Sequence, residues 1–178
     1  MRESKTGSLP DCTAPVPAVR EAFLHGVPPA KRKPGNGHCL SMHQPWASLF
    51  ATGVKRVEGR TWKSDFSSGW LWIHAAAAVP DAATICEVEA SYPGAELPSS
   101  YPVSCLLGRM YVVAQLSRDE YAQVGFDEQN DCDYVFLSAF KSWQTLTLPL
   151  AMSGDHKVWR LSKSAHATCR RAIEATYN

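Results

Sequence analysis

The sequence lacks the short motifs that identify most enzymes and metal proteins. It contains no CxxC or HxxxH pair, no GxSxG or HExxH motif and no glycine-rich phosphate loop. Its six cysteines stand far apart, and no export signal accompanies them, so we predict free, buried thiols instead of disulfides or zinc ligands. The sequence therefore predicts neither a cofactor nor a bound metal.

Hydrophobic runs of membrane or secretory length are also missing. No apolar segment approaches the ~18 residues of a membrane-spanning helix. The first residues, MRESKTGSLPDC, lack the apolar stretch of a signal peptide. These absences predict a soluble intracellular protein with no membrane contact. At 178 residues and 45% hydrophobic content, the chain can form one compact domain.

A net charge of one sign is likewise absent, since the formal total is only +1. The charges are nevertheless segregated along the chain. Residues 61–153 carry eleven Asp/Glu against four Lys/Arg, whereas residues 1–37, 38–60 and 154–178 are each net positive. Bulk charge therefore gives no argument for nucleic-acid binding, and a positive cleft would have to be assembled locally.

The distribution of proline and glycine divides the chain into two parts. Residues 1–37 hold six of the twelve prolines and a KRK triplet, and we predict a flexible, basic N-terminal segment there. Residues 38–178 form the predicted domain. Hydrophobic patterning predicts strands at 39–42, 55–62, 69–76, 105–116, 134–140, 145–150 and 156–161, and helices at 45–53, 81–92 and 162–177. So many short strands with few helices predict an α+β fold built on a small closed β-barrel.

One polar cluster stands out from this apolar pattern. Lys55, Glu58 and Arg60 fall within six residues, and the two cations could hold a phosphate while Glu58 orients them or moves a proton. Strand alternation predicts that Arg56, Glu58, Arg60 and Trp62 share one face of the strand. The competing interpretation is a surface ion pair of little consequence. Tryptophans nearby could stack on bases, although core packing is the ordinary role of such residues.

The residues of this region resemble a known family. Residues 53–60, GVKRVEGR, match the GxKxxExR signature of ASCH domains, which are relatives of the PUA barrel. The segments LSMHQPWASL, GWLWIHA and HKVWRL resemble the ASCH domains of activating signal cointegrator proteins, and the similarity spans about residues 39–165.

This resemblance implies a PUA-like barrel of about six strands with flanking helices and a cleft for RNA or single-stranded DNA. It also implies a transcription-coactivator or RNA-processing context, with possible protein partners. The nucleic-acid-binding residues implied by position are His43, Gln44, Trp46, Lys55, Arg56, Glu58, Arg60, Trp62, Lys157 and Arg160.

Two alternatives stay open beside this binding module. Some small ASCH-like enzymes hydrolyse acetylated cytidine with a Lys and a Thr on this strand; Lys55 matches, but Glu58 stands where the Thr would be. The other alternative is a protein-interaction domain whose acidic middle docks a partner. The zinc-binding segment that precedes the domain in the cointegrators has no counterpart in residues 1–38, which predicts either a stand-alone domain or a fragment.

Overall fold

The computed structural model describes residues 16–126 and 130–177. Predictions for residues 1–15 and for residues 127–129 of the acidic loop fall outside these ranges. The elements, in chain order, are α1 (Val16–His25), a short 3-10 helix (Pro29–Lys31), β1 (His38–Met42), α2 (Trp46–Ala51), β2 (Val57–Arg60), β3 (Gly69–Ala75), α3 (Ala82–Ala90), β4 (Cys105–Ser117), α4 (Arg118–Val124), β5 (Tyr134–Ala151), β6 (Val158–Arg160) and α5 (Lys163–Tyr177).

The six strands form one sheet in the order β2-β5-β4-β3-β1-β6. β1 and β3 run parallel, and the other neighbouring pairs are antiparallel. The long apolar strand β4 lies in the interior of the sheet, as its composition predicts. The sheet curls into a half-barrel flanked by helices, which confirms the predicted α+β class and the six or so strands that the family resemblance implied. Hydrophobic patterning predicts seven strands and a closed barrel. Among the described residues the sheet has six strands and stays open, with β2 and β6 as its edge strands.

Strand β5 differs from the prediction. Two strands, 134–140 and 145–150, were expected, but residues Tyr134–Ala151 form one strand of 18 residues. The polar stretch between them is a distortion inside the strand, where Lys141 has φ 47° and the register against β4 shifts. Such an irregularity bends a strand without ending it, and here it lets β5 follow the curl of the sheet.

Capping residues explain where helices α3 and α4 begin. The Asp81 side chain accepts a hydrogen bond from the Thr84 amide at 2.7 Å and begins α3, as predicted. Helix α4 was not predicted. It forms because Ser117 and Glu120 make a capping box, the S-x-x-E pattern that marks a helix start.

Helix α1 belongs to the segment predicted to be flexible. Residues 1–37 were predicted to be flexible, but Val16–His25 is helical. Its Val19 is buried in an apolar cluster with Val57, Val135 and Leu137. Part of the N-terminal segment therefore packs on the sheet, while the boundary between a segment 1–37 and a domain 38–178 stays a prediction.

The main core lies inside the curl, where Phe50 of α2 packs with Leu40, Ile73 and Phe136 of the sheet. Each fully buried side chain of this size contributes about 1.5–3 kcal/mol. This packing fixes α2 against the concave face and leaves its first residue, Trp46, at the surface.

The cysteines are only partly as predicted. The five within the described ranges are free, but Cys86 is exposed and Cys132 half-buried, while Cys39, Cys105 and Cys169 are buried. Burial raises the pKa of these last three thiols, and the nearby Cys169 adds to the effect at Cys39. Across 16–126 and 130–177 there is no group of three metal-ligating side chains, and no helix there is long and apolar enough to cross a membrane.

Candidate nucleic-acid interface

The turn between α2 and β2 positions the polar cluster. Gly53, which follows α2, has φ +77°, and a Cβ at this position would overlap the Trp143 ring. Glycine meets both demands, because it tolerates positive φ and has no side chain. The Lys55 amide then donates to the Leu49 carbonyl at 2.9 Å, which ties the start of the next segment back to the helix.

Lys55, Glu58 and Arg60 form a connected ion cluster. Lys55 Nζ lies 3.1 Å from Glu58 Oε2, and Arg60 Nη1 pairs with Glu58 Oε1. The Glu58 side chain is 6% exposed, against 14% for Lys55 and 22% for Arg60. The carboxylate is therefore enclosed between two cations that still reach solvent.

This cluster retains hydrogen-bonding capacity. Lys55 Nζ also donates to the Val57 carbonyl, and Arg60 Nη1 donates to the Gly59 carbonyl at 3.1 Å. An ammonium has three N–H groups and a guanidinium has five, so donors remain for an external acceptor. Glu58 orients the two cations and leaves the trio with an excess positive charge.

The cluster forms one wall of an open cleft of about 530 Å3, within the ~300–1,000 Å3 typical of ligand sites. We call it the signature cleft. Its lining residues come from β1, α2 and β2, from the residues next to these elements, and from the segments before β5 and β6. They are Ser41, Met42, His43, Trp46, Lys55, Glu58, Gly59, Arg60, Trp62, Asn130, Cys132 and Lys157.

Two indole rings and a histidine complete the polar wall. Trp46 is 36% exposed, and His43 beside it is also exposed. Trp62 is half-buried, packs edge-on to Phe136 and has Lys157 Nζ 5.8 Å from its ring centroid. Leu49 and Phe50 of the same helix are buried in the core, whereas Trp46 at its start is exposed.

Arg56 is a correction to the predicted face. It precedes β2, so strand alternation does not extend to it, and its carbonyl accepts hydrogen bonds from Ser138. Its guanidinium lies 3.9 Å from the centroid of Phe23 in α1 and donates to the Phe23 carbonyl. Helix α1 therefore holds Arg56 away from the signature cleft. The cation–π contact between Arg56 and Phe23 stabilises the packing of α1.

Gln44 and Arg160 also lie outside the cleft lining. Gln44 is 2% exposed; its amide donates to Ser48 Oγ at 2.8 Å and to the Pro102 carbonyl at 2.7 Å. It thus fixes the start of α2 and positions Trp46 indirectly. Arg160 lies at the end of β6 and lines a neighbouring groove.

Asn130 and Cys132 are cleft residues that the sequence did not reveal. They precede β5, whose Val135 pairs with Gly59 of β2. A Cβ on Gly59 would overlap Cys132 Sγ, so the two segments touch. No local pattern predicts a contact between segments more than 70 residues apart; knowledge of the β2–β5 pairing would have supplied the signal.

The curled sheet and this cleft, built on GxKxxExR, define the class of protein. The family model described as "ASCH domain" matches residues 40–159, and the chain belongs to the ASCH domain family. This confirms the resemblance seen in the sequence.

Comparison with curated proteins identifies individual relatives within this family. The chain is 34% identical over 142 residues to activating signal cointegrator 1 of Homo sapiens and, equally, of Mus musculus, covering 77% of this chain and 24% of each relative. It therefore spans about a quarter of the length of these relatives. Among solved structures, a mutant form of the protein ZmASCH from Zymomonas mobilis matches at 14% identity and a TM-score of 0.45, covering 75% of this chain and 94% of that chain.

Proposed function

We propose that this ASCH domain is a nucleic-acid-binding module that holds RNA or single-stranded DNA in the signature cleft. The observation that carries the proposal is the lining itself, in which the described residues include three cations, Lys55, Arg60 and Lys157, and one carboxylate, Glu58, beside an exposed indole. Cations with spare donors suit phosphate oxygens, and an exposed indole suits a base.

The shape of the cleft favours a single strand. Trp46 stands at the mouth at the first turn of α2, and Trp62 lies deeper against the core. A base can reach such rings only when it is unstacked and unpaired. A duplex keeps the faces of its bases stacked inside, so it would present only its backbone and base edges to this surface.

Trp46→Ala is expected to weaken binding of a single-stranded oligonucleotide by about 1–3 kcal/mol, roughly 5–150-fold, through loss of base stacking. Trp46→Phe should retain most of the affinity, because it keeps a ring. Fluorescence anisotropy with labelled oligouridylate and oligothymidylate measures both. Leu148→Ala, which removes an exposed apolar side chain of β5, is the matched control. Wild-type affinity in Trp46→Ala would refute stacking on this ring.

Thiol labelling tests the same cleft without changing it. Cys132 lines the cleft and Cys86 is exposed on α3 away from it. In a Cys12→Ser background, a bound oligonucleotide is expected to slow alkylation of Cys132 several-fold and leave Cys86 unchanged, as measured by peptide mass spectrometry. Equal protection of both thiols, or of neither, would contradict binding in the cleft.

The cellular context is proposed from the relatives. The name of activating signal cointegrator 1 describes a protein that integrates activating signals, which supports a transcription-coactivator or RNA-processing role and a place in the nucleus, the cytoplasm or both. Protein partners in such a complex are part of the same proposal. Asp131 and Asp133 of the acidic segment are exposed positions at which a partner could dock.

A further inference from the structure

A second groove adjoins the signature cleft. It has a volume of about 360 Å3 and shares Trp62 and Lys157 with the cleft lining. Its other polar side chains include Lys63, Arg160 and His38, and we call it the Lys63 groove. Because two residues border both spaces, the groove and the cleft are continuous along the protein surface.

The β1–β6 pairing builds the floor of the Lys63 groove. His38 and Arg160 are register partners in that pair. The His38 ring packs edge-on to Phe66 with centroids 5.1 Å apart, and Arg160 donates to the Asn36 carbonyl at 3.4 Å. These contacts fix a ring and a guanidinium side by side on a strand pair, not on a loop.

His38 also leaves a polar atom unused. Within the ranges that the structure describes, its buried Nδ1 has no hydrogen-bond partner. Burial lowers the pKa of His38, and the charge of Arg160 lowers it further. Burial therefore disfavours the charged form, and the His38 ring contributes to the lining of the groove and not to its positive charge.

The cations of the groove are not neutralised by the protein. Among the described residues, Lys63, Lys157 and Arg160 take part in no ion pair, and Asp65 is the one carboxylate in the lining. All three cations are exposed. A net positive charge lines this groove as it does the cleft, so an anionic ligand is favoured along the whole path.

We infer that a single strand bound in the signature cleft continues over Trp62 and Lys157 into the Lys63 groove, so that the domain binds several consecutive nucleotides. The inference rests on the proposed function and extends it. At the junction, Lys157 Nζ stands 5.8 Å from the Trp62 ring centroid, so one residue can contact a phosphate while the other stacks on the adjoining base.

The test is a length series of oligouridylates and oligothymidylates from about 2 to about 12 nucleotides, bracketing much of the ~4–16-nucleotide range of known single-strand sites. Affinity is measured against salt for wild type and for Lys63→Ala/Arg160→Ala. In wild type, long oligomers should show a log–log salt slope steeper than short ones by about 1.4, from two added phosphate contacts. The double variant should lose this increment and still bind short oligomers as wild type does.

Control variants distinguish a specific contribution of the Lys63 groove from a general effect of charge and from binding in the signature cleft. Lys163→Ala/Arg171→Ala removes the same charge from exposed positions of α5 and should keep the length increment. A double variant that retains the increment, or a wild type that shows none, would overturn the inference while leaving the cleft intact. Failure of every oligomer to bind wild type would overturn the proposed function as well. If wild type bound oligoglutamate as tightly as the oligonucleotides, the surface would attract anions in general, and this result would also overturn the inference.

Discussion

Glu58→Ala is expected to lower the free energy of unfolding by about 2–4 kcal/mol. The change leaves Lys55 and Arg60 side by side without their shared carboxylate, and removal of one partner from a buried ion pair costs about 3–5 kcal/mol. Both cations reach solvent, which lowers the expected cost. For a chain of this length, the midpoint of thermal unfolding should fall by roughly 5–15 °C.

Asp133→Ala is the matched control for this prediction. It removes the carboxylate of an ion pair with Arg118, in which both side chains are more than half exposed. Exposed pairs contribute about 0–1 kcal/mol, so this variant should unfold close to wild type. Urea denaturation followed by circular dichroism measures all three proteins. If Glu58→Ala proved as stable as Asp133→Ala, Glu58 would not be the structural centre of the cluster.

Lys55→Ala is expected to weaken binding of single-stranded oligonucleotides and to reduce the salt slope by about 0.7, the contribution of one phosphate contact. Glu58 keeps Arg60 as its partner in this variant, so the fold should persist. Anisotropy titrations over a range of salt concentrations measure both effects. Arg171→Ala, an equal loss of charge on exposed α5, should leave affinity and slope unchanged.

A second variant separates a specific contact from net charge. Lys55→Ala/Glu58→Gln removes one positive and one negative charge, so the formal charge of the cleft equals that of wild type. If Lys55 contacts phosphate directly, this variant should bind as weakly as Lys55→Ala. Recovery of affinity would show that only the net potential matters. Turnover of acetylated cytidine by wild type, abolished in Lys55→Ala, would favour the hydrolase alternative over binding alone.

Strand and helix periodicity predicted much of the fold, because those signals are local. The apolar run of β4 and the Asp81 cap of α3 each act within a few residues and were predicted correctly. The single strand β5 was not, because a bulge and a turn have similar polar sequences, and pairing with β4 decides between them. Helix α4 had a local signal, the Ser117–Glu120 capping box.

The sequence by itself determined the polar cluster of this protein. The spacing of Lys55, Glu58 and Arg60 on and just before one short strand, behind a glycine that follows α2, places the three charges together through local geometry. The same spacing identified the ASCH family, and its model matches the chain.

Only the tertiary structure decided what surrounds that cluster. Helix α1 holds the Arg56 guanidinium over the Phe23 ring, outside the signature cleft, and the packing of α2 leaves Trp46 exposed. The curl of the sheet brings Lys157, beside β6, to Trp62, beside β2, although these residues are distant in sequence. Such placements depend on long-range strand pairing and on which helix covers which face, and local residue patterns do not encode either.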